Sequence, residues 1–201
     1  MRIGVFGGSF DPVHYGHLLL ADCCREACRL DQVWFIPAAQ SPHKRDATPT
    51  PGVQRLEMLQ LAVAGDPGFI VSSVEIDRGG ISYTVDTLEQ LHRDRPSDEL
   101  FLLMGADTLD DLPRWRQPQR ICELTLPVVV HRGGAPEPNW EALRALTTPD
   151  RFQSSRALSV EMPVHAVSSR EIRARVAQGR SIRFRTPRAV EKYIETHALY
   201  R

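Results

Sequence analysis

The chain has 201 residues, 42% hydrophobic and 25% charged, the composition of one ordinary globular domain with a well-buried core. Lys plus Arg and Asp plus Glu both number 25 and cancel, which argues against a nucleic acid partner but leaves room for a small anionic ligand. The N-terminus M-R-I-G-V-F-G-G has no signal-peptide pattern, no apolar run has membrane length, and Cys23, Cys24, Cys28 and Cys122 show neither disulfide nor zinc spacing, so a cytoplasmic, reduced protein with no membrane partner is expected.

Short apolar runs alternate with helical patterns along the chain, the signature of a parallel sheet wrapped by helices. Residues 3–6 read as the first strand, and 14–28 as a helix with Leu20, Cys24 and Ala27 on one face. A second strand at 33–36 ends at Pro37, and a Pro-rich basic loop fills 37–51. Residues 53–64 form a helix with Leu56, Leu59 and Val63 inward, followed by a strand at 69–74. The helix at 84–92 has Ser82 or Thr84 as its cap, and strands follow at 100–104 and 128–130. Pro113 and Pro118 break the intervening stretch into short helices, and 131–139 reads as a mobile loop. Ser168 with Glu171 forms a capping-box pattern for a helix ending near Gly179, and Thr186-Pro187 opens the last one. The expectation is an α/β, doubly wound parallel sheet, Rossmann-like, in one domain over 1–201 with 168–201 as a C-terminal helical subdomain.

The informative segment is the first strand-to-helix turn, G-G-S-F-D-P-V-H-Y-G-H, residues 7–17. Ligands of parallel α/β sheets sit beyond the carboxyl ends of strands at such turns, where glycines allow close backbone approach. His14 and His17 are three apart, so they share a face of the first helical turn, where free N–H groups favour anions. Neither G-x-G-x-x-G nor G-x-x-x-x-G-K-[ST] is present. Two imidazoles and two cysteines on one helix also raise a zinc site. Cys24, however, lies about 10 Å along the axis from His17, too far to share a metal. The cysteines are read as helix-face packing and no residue is assigned to a metal.

H-Y-G-H after a Gly-rich strand end resembles the H-x-G-H signature of the nucleotidylyltransferase superfamily. It is followed by S-P-H-K (41–44), R-G-G-I-S-Y-T-V-D-T-L (78–88), L-L-M-G-A-D (102–107), W-R (115–116) and V-S-S-R-E-I-R (167–173). In that order and spacing the blocks resemble the bacterial nicotinate-mononucleotide adenylyltransferases, from residue 2 to the C-terminal A-L-Y. The resemblance implies that His14 and His17 contact the ATP phosphates, His17 mattering most to the chemistry, with Lys44 reaching the triphosphate. It implies that Ser168 and Arg173 clamp the β- and γ-phosphates, and that Gly7, Gly8, Ser9, Phe10 and Ser169 also bind ATP. Gly105 and Asp107 then hold the ribose and adenine side, and Tyr83, Thr84 and Trp115 form the pocket for the pyridine ring and its carboxylate. The implied substrates are ATP, carried with Mg2+, and nicotinate mononucleotide. Arg170 departs from the Thr of several relatives and Ser41 from a frequent Pro.

Residue by residue, blander readings stand beside these. Lys44 can be a solvated loop lysine, although only it and Lys192 are lysines against 23 arginines. Trp115 can be a core aromatic, although its Arg and Pro neighbours suit a loop. Ser168 and Asp107 can be helix caps. Other functions on this pattern are an H-x-G-H transferase acting on phosphopantetheine or, with CTP, on a phospho-alcohol, a non-catalytic nucleotide sensor, or a tRNA synthetase fragment. The oligomeric state stays open, a homo-oligomer included.

Overall fold

The structure, a computed structural model, describes residues 1–42, 49–134 and 136–201. Six parallel strands form one sheet in the order β3-β2-β1-β4-β5-β6. They are β1 Arg2–Gly8, β2 Gln32–Pro37, β3 Phe69–Val71, β4 Glu99–Gly105, β5 Leu126–Arg132 and β6 Val160–Met162. The chain winds outward from β1 in one direction, then returns to β4 and winds in the other. The order therefore reverses between β1 and β4, which is where a doubly wound sheet opens a crevice for ligands.

Helices cover both faces, so the strands are buried on both sides and read as continuous apolar runs. Ile3, Val5, Leu100, Leu102, Met104 and Val129 pack on one face with residues from α4 (Thr84–Asp94), α5 (Ala106–Asp111), α6 (Pro118–Leu124), α7 (Glu141–Arg144) and α8 (Pro149–Ala157). Phe6, Phe101, Leu103, Val128 and Val130 pack on the other with α1 (Tyr15–Ala27), α2 (Gly52–Val63), α9 (Ser169–Ala177) and α10 (Arg188–Thr196). Among the described residues no helix is long and apolar enough to cross a membrane.

Several local expectations are corrected. The strand at 69–74 stops at Val71, and Val74 begins a short helix, α3 (Val74–Arg78). The inward face of α1 is Ala21 and Cys24, continued by Cys28, while Ala27 is exposed. On α2 the buried side chains are Met58, Leu59, Val63 and an arginine, Arg55. Ser82 does not cap α4; its Oγ accepts the Ala39 N–H at 2.9 Å, tying the end of β2 to the start of α4, whose N-cap residue is Tyr83. Thr186 does not cap α10, which has Pro187 at that position; the Thr186 hydroxyl instead donates to Val13 O at 2.8 Å. Ser168 does cap α9, accepting from Glu171 N, but the Glu171 carboxylate turns to Arg185 rather than back to the cap.

Candidate active site

The carboxyl ends of β1 and β4 open into a cavity of about 580 Å³. Its walls include Gly7, Gly8 and Ser9 from the first turn, Gly105 from the end of β4, Tyr83 and Thr84 from the start of α4, and Trp115. Seven of the residues named from the sequence thus meet in one cavity at the point where strand order reverses. A Cβ at Gly7 or Gly105 would meet no atom within 4 Å, so both glycines border open space rather than packed neighbours. Phe10 behaves differently: its ring is buried and meets Phe6 edge-on at 5.4 Å, so only its backbone is available to a ligand.

His14 is the N-cap residue of α1 and His17 its third residue. Their rings stack with centroids 3.7 Å apart, and the His14 N–H donates to His17 Nδ1 at 3.3 Å. Because Nδ1 accepts, a neutral His17 ring carries its proton on Nε2. Phe6 and Phe10 close on the His17 ring at 6.1 and 5.0 Å and fix its plane. A Cβ at Gly16 would lie 3.1 Å from the His14 ring and 3.2 Å from that of His165, so a side chain there would crowd those two rings. Cys24 and Cys28 go into the core instead of toward the imidazoles, in agreement with the packing reading.

His14 is buried, with its Nδ1 lacking a hydrogen-bond partner among the described residues. Burial, with the neighbouring His165 adding to it, pushes the imidazole from 6.5 down to about 4. The unfolded chain therefore binds a proton here at pH values where the folded one does not. This contribution to stability is complete above 6.5 and is lost progressively as the pH falls toward 4. Urea unfolding of wild type and His14→Asn at neutral pH and near pH 4 should show a flatter pH dependence in the variant; equal slopes would assign the acid sensitivity to other groups.

The late helix α9 docks on the same turn. The Ser169 hydroxyl donates to Pro12 O at 2.8 Å, and Arg173 Nη1 donates to Asp11 O at 2.6 Å. Ser168, Ser169 and Arg173 are thereby fastened to the segment that leads into His14 and His17. Arg170 is exposed. Asp107 is exposed in the first turn of α5 and is not among the residues that border the cavity. Lys44 lies outside the described residues.

Two contributors escaped the sequence reading. Arg116 borders the cavity with its guanidinium 4.8 Å from the Tyr83 ring centroid and 3.4 Å from Asp86. The W-R block contained it, but only its aromatic member was given a role. Arg55, 1% exposed, donates to Ser9 O, Ala38 O and Thr50 O at 2.8, 2.7 and 2.8 Å. It thereby ties the first turn to both ends of the basic loop. A charge three and four residues before Met58 and Leu59, on the buried face of α2, was the available signal.

A cavity at the β1–β4 switch point, with an imidazole pair at the start of the helix that follows β1, is the arrangement of a nucleotide-transferring Rossmann-like protein, and the cytidylyltransferase-like family model matches residues 5–175. The whole chain is 45% identical over 200 residues to a probable nicotinate-nucleotide adenylyltransferase of Thermomicrobium roseum, covering 100% of this chain and 92% of that one. It is 47% identical to a protein of the same description from Thermus thermophilus, with 100% of both chains covered. The chain belongs to the nicotinate-nucleotide adenylyltransferase family within that cytidylyltransferase-like fold. Among solved structures, a Plasmodium falciparum nicotinic acid mononucleotide adenylyltransferase complexed with NaAD superposes with a TM-score of 0.74 at 16% identity, covering 99% of this chain and 97% of that one, a likeness of fold.

Proposed function

We propose that the protein transfers the AMP moiety of ATP to nicotinate mononucleotide, giving nicotinate adenine dinucleotide and pyrophosphate, in the cytoplasm. The observation that carries this reading is the single cavity at the β1–β4 reversal, with glycine-lined strand ends on one side and Tyr83, Thr84 and Trp115 on the other. An oxygen of the acceptor phosphate attacks the α-phosphorus of ATP in line. The bond from that phosphorus to the bridging oxygen breaks, and the electron pair leaves with pyrophosphate. Two anions must be brought together, so the protein's work is positioning and charge neutralisation, with no covalent intermediate needed.

In this reading His14 and His17 donate to the phosphates, Arg173 and Lys44 neutralise the departing pyrophosphate, and Gly105 and Asp107 hold the nucleoside. Arg173 has one nitrogen anchored on Asp11 O, and the rest of its planar fork suits phosphate oxygens. Magnesium would enter with the triphosphate, held by phosphate oxygens and water, and would offset the charge of the departing pyrophosphate.

Pyrophosphate release measured with ATP across nicotinate mononucleotide, nicotinamide mononucleotide and phosphopantetheine tests the reading; turnover only with phosphopantetheine, or with none of the three, would overturn it. Arg173→Ala should raise the KM for ATP by about tenfold or more, the worth of a charge-assisted hydrogen bond. Lys44→Ala should do so less strongly, because an ammonium lacks the planar fork with which a guanidinium holds two phosphate oxygens at once. Wild-type kcat/KM for ATP in both variants would move the phosphate clamp elsewhere.

A further inference from the structure

The last residues of the chain return to the nucleotide-binding turn. The Tyr200 hydroxyl donates to Asp11 Oδ1 at 2.6 Å, while Thr50 N donates to the other oxygen, Oδ2, at 3.3 Å. Asp11 is buried at 8% exposure, and its own carbonyl holds Arg173 Nη1. Tyr200 packs against the core cluster of α1, α2, α9 and α10, and holds a left-handed φ of 64°, with Ala198 at 51°. A non-glycine residue keeps such a backbone only where its surroundings over-determine it.

The charge balance around Asp11 shows what the contact does. A buried carboxylate needs donors or cations. Arg55, a buried cation, acts on it electrostatically but spends its Nε, Nη1 and Nη2 donors on the carbonyls of Thr50, Ser9 and Ala38. Arg173 is a second guanidinium, already bonded to the same residue, and its charge reaches the Tyr200 phenol as well. If Oδ1 lost its phenolic donor, the carboxylate would draw the Arg173 fork toward itself and away from a ligand.

We propose that Tyr200 is a positioning residue of the ATP site, occupying Asp11 so that the Arg173 guanidinium stays directed at phosphate. The proposal rests on Arg173 serving the ATP phosphates, as read above. Its chemistry is local: one phenolic hydrogen bond satisfies a carboxylate that would otherwise compete with the substrate for the same cation.

Tyr200→Phe keeps the ring and removes only the donor. We expect it to raise the KM for ATP about five- to tenfold, the effect of one hydrogen bond to a charged group. The KM for nicotinate mononucleotide and kcat should stay within about twofold, a split that general loosening of the fold would not produce. KM values do not depend on how much of the sample is folded, so a less stable variant still gives the answer. In an Arg173→Ala background the added Tyr200→Phe should have little further effect on ATP, because the residue it acts through is gone. An unchanged ATP KM in Tyr200→Phe, equal rises for both substrates, or full additivity with Arg173→Ala would each overturn the proposal. Arg173→Ala with wild-type ATP KM would remove the clamp itself, a failure distinguishable because it is read without touching Tyr200.

Discussion

His17→Ala should lower kcat by about a hundredfold or more while changing the KM for ATP only modestly, because its hydrogen bond strengthens as charge moves in the transition state. The packing around this ring supports the larger effect expected of it. Its Nδ1 accepts the His14 N–H, Phe6 and Phe10 meet its ring edge-on, and it stacks on His14. A ring so held has little freedom left to lose, which keeps reorganisation during the reaction small. His14→Ala removes the stacked ring and a buried group together, so it should raise KM as well as lower kcat. Steady-state kinetics with ATP varied at saturating acceptor measures both, and wild-type kcat in His17→Ala would sink the catalytic assignment.

Nicotinate mononucleotide should be preferred over nicotinamide mononucleotide by roughly 10–100-fold in kcat/KM, the worth of one charge-assisted hydrogen bond. The two acceptors differ only in a carboxylate against a carboxamide on the ring. Thr84 is the first residue of α4; the Asp86 N–H donates to Tyr83 O at 3.1 Å, while those of Thr84 and Val85 have no acceptor within the helix. Those donors and the positive end of the helix suit a carboxylate and meet an amide N–H₂ as a repulsion. Arg116, stacked over Tyr83 at the cavity wall, adds a cation on the same side. Among the described residues the one buried acid bordering the cavity, Glu75, accepts the Thr87 hydroxyl at 2.6 Å, which engages it within the α3–α4 contact. Trp115 lies against the core and borders the cavity, so it offers either ring a face to stack on. Trp115→Ala should therefore raise both acceptor KM values and leave their ratio nearly unchanged. Parallel kinetics with the two acceptors decide the matter; equal values, or a higher one for the amide, would reassign the pocket while leaving adenylyl transfer in place.

What the sequence determined by itself is what depends on local pattern. The continuous apolar runs at 3–6, 33–36, 100–104 and 128–130 all lie in central strands, because a strand buried on both faces has no polar alternation to confuse it. The glycine-rich turn with His14 and His17 needs only near neighbours to define it, so it too was readable, down to the shared helical face. Short elements were not readable: α3, α7 and β6 span five, four and three residues, too few for a period to declare itself. Polar residues whose partners are remote were equally hidden. Thr186 looked like a cap because Thr-Pro usually opens a helix, yet its hydroxyl goes to Val13, 173 residues away. Arg173 reaches Asp11 across 162 residues, and Tyr200 does so across 189. A hydroxyl or guanidinium can satisfy itself locally, with water or far along the chain at similar free energy. Only the packing of α9, α10 and the C-terminus against the first turn decides among those options, and that packing fixes which way the cationic side of the site faces.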